Sequence, residues 1–308
     1  MTTYAAPSFS DLTPDELHVQ RQTKTRLVVL DVLPPEAHDR VHLPGARNAC
    51  VYAVAFPEQV SELIPDKTTP IVVYGQSDDT LEGKMAVEKL HAAGYTRVSR
   101  MIGGLTAWRA AGFPVEEAPP QPTAPGTSVC PLDVDASVIF WTGSNRFNHH
   151  TGTLALSEGF LAITEGEPSG GEFILDMDSI ACTDLTDPAM NAMLVAHLRH
   201  DDFFAVDRFP TARFKLQTAR RLEGSTDGTP THRLSGDFTL RGITAPIDFK
   251  ASLHPRPEGG WGLQAHFAID RTRWKVLYGS GRFFAKLGQH LVNDAIHLHL
   301  KLFANPPS

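Results

Sequence analysis

The chain has 308 residues, a formal net charge of -7, 42% hydrophobic residues and 20% charged residues. This length suits two domains, and the composition is typical of a globular protein. The acidic balance argues against general nucleic-acid binding, because proteins with that role usually carry a basic face. No apolar run approaches the ~20 residues that a membrane-spanning helix needs, so we expect no transmembrane segment. The N-terminal residues lack a basic region followed by a long apolar one, so we expect a cytoplasmic protein.

Cysteine and histidine are the residues that would indicate disulfides or a metal. The cysteines, Cys50, Cys130 and Cys182, are odd in number and far apart, which predicts neither a disulfide framework nor a CxxC metal site. His197 and His200 are three residues apart and can share a helical face. A zinc site would also need a cysteine or carboxylate ligand and supporting hydrogen bonds. We therefore predict no bound metal.

A run of prolines divides the chain. Residues 116–128 hold four prolines and a glycine, which is typical of an extended, semi-rigid linker. We predict a first domain at residues 1–117, a linker at 118–128 and a second domain at 129–305.

Before the linker, short apolar strands alternate with helical segments. Residues 27–32 and 71–74 predict buried strands, whereas 81–93 and 106–111 predict helices. This alternation predicts an α/β domain with a parallel sheet. Because ligands of such sheets bind at the carboxyl ends of the strands, the loop after Tyr74 is the place to look for a site.

Four motifs resemble the rhodanese family, in the same order and spacing. They are Leu-Asp-Val at 30–32, His-Leu-Pro-Gly-Ala-Arg-Asn at 42–48, Val-Val-Tyr at 72–74 and the Gly-Gly-Leu-Thr-Ala-Trp segment that opens residues 103–115. The resemblance covers roughly residues 10–117. In active members, a cysteine that forms a persulfide follows the strand equivalent to 72–74. Gly75 stands at that position here.

The loop after Tyr74 lacks the chemistry of sulfur transfer. That reaction needs a thiolate in an electropositive pocket. The loop has no thiol, and Asp78, Asp79 and Glu82 would repel an anionic substrate. We therefore predict a catalytically silent domain that serves docking or regulation, with a degenerate loop formed by Gly75, Gln76, Ser77, Asp78, Asp79 and Thr80. The alternative is a sulfurtransferase with a non-standard nucleophile such as Cys50.

After the linker, the pattern changes to strands with one apolar and one polar face. Clean alternation occurs at residues 247–253, 261–269 and 296–302. About eight such strands predict an all-β antiparallel sheet closed into a barrel. A barrel of that size either fills its interior with side chains or holds one small ligand.

Residues 197–214 predict a short helix, then a turn, then a strand, with Pro210 excluding any longer helix. In the strand, Ala212, Phe214, Leu216 and Thr218 are expected to share a face. The whole stretch resembles the signature of the YceI-like, polyisoprenoid-binding family, as do residues 236–247, 269–274 and 278–284. This resemblance implies a lipocalin-like barrel that binds an isoprenoid chain, such as a quinone tail, in its lumen and is not an enzyme.

The ligand that this resemblance implies is a hydrophobic small molecule or lipid, and the only expected cofactor is a bound isoprenoid or quinone-like lipid. For the lumen and its lid we predict Val138, Phe140, Phe203, Phe204, Phe214, Phe249, Phe267 and Trp274. A tunnel lining and a filled core have the same composition, so both interpretations stay open. Asp201 and Asp202 are interpreted as an exposed cap rather than an acid–base pair. We also expect a homodimer formed through the barrel, and the alternative function is a dimeric stress-related scaffold.

Overall fold

The computed structural model describes residues 10–23, 26–119, 126–226 and 228–307. The chain divides into two units, residues 1–121 and 122–308. The predicted linker at 118–128 falls partly on residues 120–125, which lie outside the described residues. The domain bounds at 117 and 129 therefore stay predictions.

The first unit is a parallel sheet with helices on both faces. Its strands are β1 (Ser10–Leu12), β2 (Val28–Asp31), β3 (Val41–His42), β4 (Arg47–Asn48), β5 (Ile71–Tyr74), β6 (Val98–Met101) and β7 (Glu116–Glu117). Its helices are α1 (Pro14–Thr23), α2 (Pro35–Arg40), α3 (Phe56–Leu63), α4 (Glu82–Ala92) and α5 (Gly104–Ala110). Five strands form one sheet in the order β1-β6-β5-β2-β4, with every pair parallel. This confirms the predicted α/β class.

Burial on both faces explains why the strands of this sheet are continuous apolar runs rather than alternating ones. All four residues of β5 are buried. Phe56, Leu90 and their neighbours cover one face, and Leu17 and Trp108 pack into a separate cluster. The carboxyl end of β5 then leads directly into the loop that begins at Gly75.

The second unit is built almost entirely from strands. They are β8 (Thr127–Pro131), β9 (Val138–Ser144), β10 (His149–Thr164), β11 (Glu167–Cys182), β12 (Thr211–Arg221), β13 (His232–Leu240), β14 (Ile243–Pro255), β15 (Trp261–Asp270) and β16 (Ala295–Ala304). The helix α6 (Pro188–Arg199) joins β11 to β12, and short 3-10 helices lie at Arg271–Trp274 and Gly288–His290.

Strands β9 to β16 form a closed antiparallel barrel. Each pairs with the next along the chain, and β16 pairs back with β9 to close the ring. Strand β8 is added beside the second half of β10. The barrel therefore has eight strands and one short helix, as the alternation predicts.

The stretch at residues 197–214 has the predicted order of helix, turn and strand. Helix α6 is capped at its start by the Asp187 carboxylate, which accepts from the backbone N–H groups of Ala189 and Met190. It ends at Arg199, well before Pro210, because His200 adopts an extended conformation. The turns that follow carry Phe203 and Phe204, and β12 begins directly after Pro210.

Burial along β12 confirms most of the predicted alternation. Ala212, Phe214 and Leu216 are buried, whereas Thr218 is exposed, contrary to the prediction. The register between β12 and β13 shifts between Leu216 and Thr218, so the inward face passes to other residues beyond that point.

Gly152 lies where β10 comes close to its neighbours. A Cβ atom at this position would lie 1.8 Å from the carbonyl oxygen of Ala181 and 2.4 Å from the ring of Trp141. The register of β10 with β11 shifts shortly afterwards, between Thr153 and Ala155. A bulge therefore lies close to Gly152, and only glycine fits the approach.

We predict that Gly152→Ala destabilises the barrel by about 3 kcal/mol, because the added methyl group overlaps backbone as well as the Trp141 ring. Gly143→Ala on the neighbouring strand β9 is the control, since its Cβ would meet only Ile296 at 3.7 Å. Calorimetric unfolding of the two variants measures the difference. Equal stabilities would contradict the prediction.

Candidate functional site

The barrel encloses an apolar cavity of about 200 Å³. It lies at the end of the barrel that is closed by the β9–β10 loop, by α6 and by the segment between β15 and β16; we call this end the mouth. Its walls include Ile139, Trp141, Leu154, Leu175 and Leu198. A second cavity of about 50 Å³ has no polar lining residue. The two cavities share lining residues Ile139, Leu175, Phe238 and Leu298, so they occupy neighbouring parts of one lumen.

Five of the predicted lumen residues face this interior. Phe203 and Phe204 line the larger cavity. Phe214, Phe249 and Phe267 line the smaller one, where the rings of Phe249 and Phe267 stack with centroids 4.0 Å apart. Their placement agrees with a lumen lining, while contact with a ligand stays a prediction.

Three predicted residues lie elsewhere. Phe140 is 41% exposed on the outer face, because Ile139 and Trp141 on either side of it point inward and side chains alternate along a strand. Val138 is two residues before Phe140, on the same face of the strand, and it lines neither cavity. Trp274 is fully buried in the wall, where its indole N–H donates to the Phe238 carbonyl at 2.9 Å. These three placements correct the prediction.

The polar side chains that line the lumen are confined to the mouth. They are Ser144, Asn145, Asn148, His149, His150, His197, Arg271 and Tyr278. The His197 ring makes edge contacts with Phe203, at 5.0 Å between centroids, and with Tyr278, at 4.5 Å. The sequence gives no signal for this grouping, since it depends on which loops meet at one end of the barrel.

Arg271 holds the wall of the mouth in place. Its side chain is 1% exposed and donates to the carbonyl groups of Val276, Val292 and Asn293. Burial lowers the pKa of its guanidinium group, while the Asp294 carboxylate 3.7 Å away opposes that shift. Arg271 therefore ties together the segment between β15 and β16.

The remaining polar candidates of the helix–turn–strand stretch lie on the surface. Asp201 pairs with Arg208 at 3.1 Å, and Asp202 pairs with His200 at 3.2 Å, all of them exposed. This agrees with an exposed cap rather than an acid–base pair. Within the described part of the chain, no group of three or more His, Cys, Asp or Glu side chains is placed to hold a metal ion.

Asp184 links β10 to the chain that leaves β11 beside the mouth. Its carboxylate accepts from the backbone N–H of Thr151 at 2.8 Å, from His150 at 3.0 Å and from the Cys182 thiol at 3.3 Å. Burial alone would raise its pKa, but these hydrogen bonds outweigh burial and lower the pKa of Asp184 to about 2. The charged carboxylate therefore stabilises the link between β10 and the chain that leaves β11.

In the first unit, the loop after β5 is packed against the start of α5. The N–H groups of Leu105 and Thr106 donate to the carbonyl groups of Gly75 and Gln76. Gly104 must be glycine, because it has a φ of +55° and a Cβ would lie 2.3 Å from the Gly75 carbonyl oxygen. The loop is thus rigidly placed at the carboxyl edge of the sheet.

The carboxylate of Glu82 fills the space beside Gly75. A Cβ on Gly75 would lie 2.9 Å from the Glu82 Cβ and 3.0 Å from its Oε2. Glu82 is buried; its Oε1 accepts from the Tyr52 hydroxyl, and its Oε2 has no hydrogen-bond partner among the described residues. Partial burial of the hydroxyl, together with this bond to a carboxylate, raises the pKa of Tyr52 to about 12. The site therefore presents negative charge.

Arg100, a cation beside this loop, forms ion pairs within the unit. Arg100 pairs with Asp11 at 2.8 Å and with Asp78 at 3.2 Å. The hydrogen bond to Asp11 raises the pKa of Arg100. Its charge is therefore shared between two carboxylates.

The two architectures are an α/β unit of rhodanese type and a closed antiparallel barrel. The chain belongs to the family of the YceI-like domain, whose model matches residues 131–304, more than half of the chain. The model of the rhodanese-like domain matches residues 13–111. Both resemblances expected from the sequence are confirmed.

Individual relatives are distant. A UPF0312 protein of Pseudomonas putida (strain W619) is 35% identical over 66 residues, which are 21% of this chain and 32% of that protein. The match thus spans about a third of that relative's length. The crystal structure of BcnA from Burkholderia cenocepacia is 16% identical, with a TM-score of 0.45, and the match covers 56% of this chain and 99% of that one. A polyisoprenoid binding domain from Saccharophagus degradans is 14% identical, with a TM-score of 0.41, and the match covers 58% of this chain and 99% of that one.

In the described part of the chain, no helix has the length and apolar character to cross a membrane.

We predict that Asp184→Asn weakens the fold near neutral pH by about 1 kcal/mol, a figure reduced for the partial exposure of the carboxylate. Because the folded-state pKa is lowered, the stabilisation is present above the ordinary value of 3.8 and is lost as the pH falls towards 2. The stability difference between wild type and variant should therefore shrink over this acidic range. Urea unfolding at several pH values measures it, and a difference independent of pH would contradict the prediction.

Proposed function

We propose that the barrel binds an isoprenoid or similar amphiphilic lipid in its lumen, as a carrier or sensor. The observation that carries the proposal is an apolar cavity of about 200 Å³ whose polar side chains lie only at the mouth. Such a cavity suits a molecule with an apolar chain and one polar end. The YceI-like family, to which the chain belongs, is consistent with binding rather than catalysis.

The size of the cavity supports a chain rather than a water cluster. An apolar cavity of roughly 150 Å³ stays dry and admits benzene. This lumen therefore has room for about one or two five-carbon units before any side chain moves. Each buried CH₂ group contributes roughly 0.8 kcal/mol before the costs of association, so a chain binds without polar contacts.

A longer chain would extend into the second cavity. Phe214, Phe249 and Phe267 surround that cavity, and the Phe249 and Phe267 rings stack face to face. Movement of the side chains that line both cavities, such as Phe238 and Leu298, would join them into one tunnel. The head group would then remain at the mouth, within reach of His197, His150 and Tyr278.

For the first unit we propose a docking or regulatory role without sulfurtransferase activity. Gly75 has no nucleophilic side chain, and the Glu82 carboxylate lies where such a side chain would project. A persulfide or thiosulfate at this point would meet negative charge from Glu82 and Asp78. Cytoplasmic location and homodimer formation through the barrel stay predictions.

A sulfurtransferase with Cys50 as nucleophile is the second candidate. Cys50 is partly exposed and lies close enough to Tyr52 to influence the pKa of its hydroxyl. The first proposal is preferred because the loop after β5 supplies no thiol and holds the carboxylates of Glu82 and Asp78, which repel an anionic substrate.

We expect farnesol and geranylgeraniol to bind the purified protein at one site, as measured by native mass spectrometry. Leu194→Gln should weaken binding about tenfold, because it places an amide in the apolar wall. Ala192→Gln is the control, since Ala192 lies on the exposed side of the same helix, whereas Leu194 lines the lumen. Failure of wild type to bind either alcohol, or equal weakening by both variants, would contradict the proposal.

In a thiosulfate:cyanide assay, we expect neither wild type nor Cys50→Ala to exceed the rate of the buffer alone. The reason is that the loop supplies no thiol and faces carboxylates. A rate in wild type that disappears in Cys50→Ala would support the second candidate instead.

A further inference from the structure

Exposed apolar side chains gather at the mouth of the barrel. Among the described residues of the second unit, the large hydrophobic side chains that are exposed are Val129, Phe140, Phe147, Met190, Met193, Phe283 and Phe284. Five of these seven lie on the loop 145–148, on α6 or on the segment 271–293, and Phe147 is 87% exposed. We call these three segments the rim.

Topology places the three segments at one end. In an antiparallel barrel, alternate connections lie at the same end, and these three join β9 to β10, β11 to β12, and β15 to β16. A hydrogen bond links two of them: the side-chain amide of Asn293 donates to the Asn145 carbonyl at 3.4 Å. Asn148, His197 and Tyr278 from the three segments all line the larger cavity. The rim therefore surrounds the entrance to the lumen.

The rim also differs in charge from the rest of the chain. Residues 145–148, 188–199 and 271–293 contain no Asp or Glu, although the chain has 35. They contain the basic residues Arg146, Arg199, Arg271, Arg273, Lys275, Arg282 and Lys286, of which Arg271 is buried and Arg199 pairs with Asp178. Within the described chain, neither Arg146 nor Lys286 forms an ion pair. Arg282, by contrast, pairs with Asp270 and Asp294.

Acidic residues do lie beside the rim, but several of them form ion pairs with neighbouring side chains. Asp184 is held by His150 at 3.0 Å, and Asp201 pairs with Arg208 at 3.1 Å. Basic residues lie next in sequence to the exposed aromatic side chains of the rim, which are Phe147, Phe283 and Phe284. Aromatic side chains flanked by cations suit the interface of an anionic bilayer, where rings enter the head-group region and cations meet lipid charge.

We propose that the rim docks on the surface of an anionic phospholipid bilayer, with the mouth facing the membrane. The inference goes beyond the proposed lumen ligand, because it rests on the exposed rim alone. Docking in this orientation would let an apolar chain pass between bilayer and lumen without crossing water. A second copy of the chain suits the surface less well, since two basic rims facing each other repel.

Flotation of the full chain with vesicles tests the proposal. Wild type should bind vesicles of phosphatidylcholine with phosphatidylglycerol, and bind less as salt rises, because ions screen the attraction. The variant Phe147→Ser/Phe283→Ser/Phe284→Ser should bind at least about tenfold more weakly. Val129→Ser/Phe140→Ser is the matched control, since it removes exposed apolar side chains away from the rim and should bind as wild type does.

A second variant, Arg146→Glu/Lys286→Glu, keeps the aromatic side chains and reverses the charge. It should lose binding to the anionic vesicles as well. The proposal is overturned if wild type does not bind them, if both rim variants bind as wild type does, or if the control is weakened equally. It is also overturned if wild type forms a dimer in vesicle-free buffer that the rim variants dissociate, without vesicle binding. Farnesol uptake, measured separately, distinguishes failure of the lumen ligand from failure of the membrane surface.

Discussion

Closure of the barrel is the constraint on which the second unit depends. Pairing of β16 with β9 leaves the ring without an open edge. Once the ring is closed, alternate side chains of each strand must face either water or the lumen. Apolar residues such as Leu175 and Phe238 therefore line an interior that eight strands do not fill completely. The cavity follows from the number of strands as much as from the size of the side chains.

The two ends of the lumen differ because different parts of the chain build them. Strand residues alone surround the smaller cavity, so period-two alternation keeps its lining apolar. At the mouth, loops and α6 bring in polar groups, and these are held by contacts such as those of Arg271 with three backbone carbonyl groups. Burying this cation is tolerated because its donors are satisfied and Asp294 lies nearby. An apolar chain with one polar end matches that asymmetry.

Sequence periodicity was sufficient to predict the barrel and the parallel sheet, but not every inward-facing residue. In Val138-Ile-Phe-Trp141 all four side chains are apolar, so the pattern does not indicate which alternate residues face inward, and the prediction that Phe140 faces the lumen is wrong. The prediction for Thr218 is wrong because a register shift cannot be recognised from alternation. The grouping of His197 with Tyr278 depends on contacts between segments far apart in sequence, and no local pattern contains that information.

In the rhodanese-like unit, main-chain contacts set the shape of the loop that follows β5. The carbonyl groups of Gly75 and Gln76 accept hydrogen bonds from the N–H groups at the start of α5, and Gly104 permits the close approach. These interactions involve only the main chain, so they impose no particular side chain on the loop. Glu82 then fills the space beside Gly75, where a larger residue would meet its Cβ at 2.9 Å. Loop shape and nucleophile are thus separable, and sequence motifs that specify the shape do not by themselves specify the reaction.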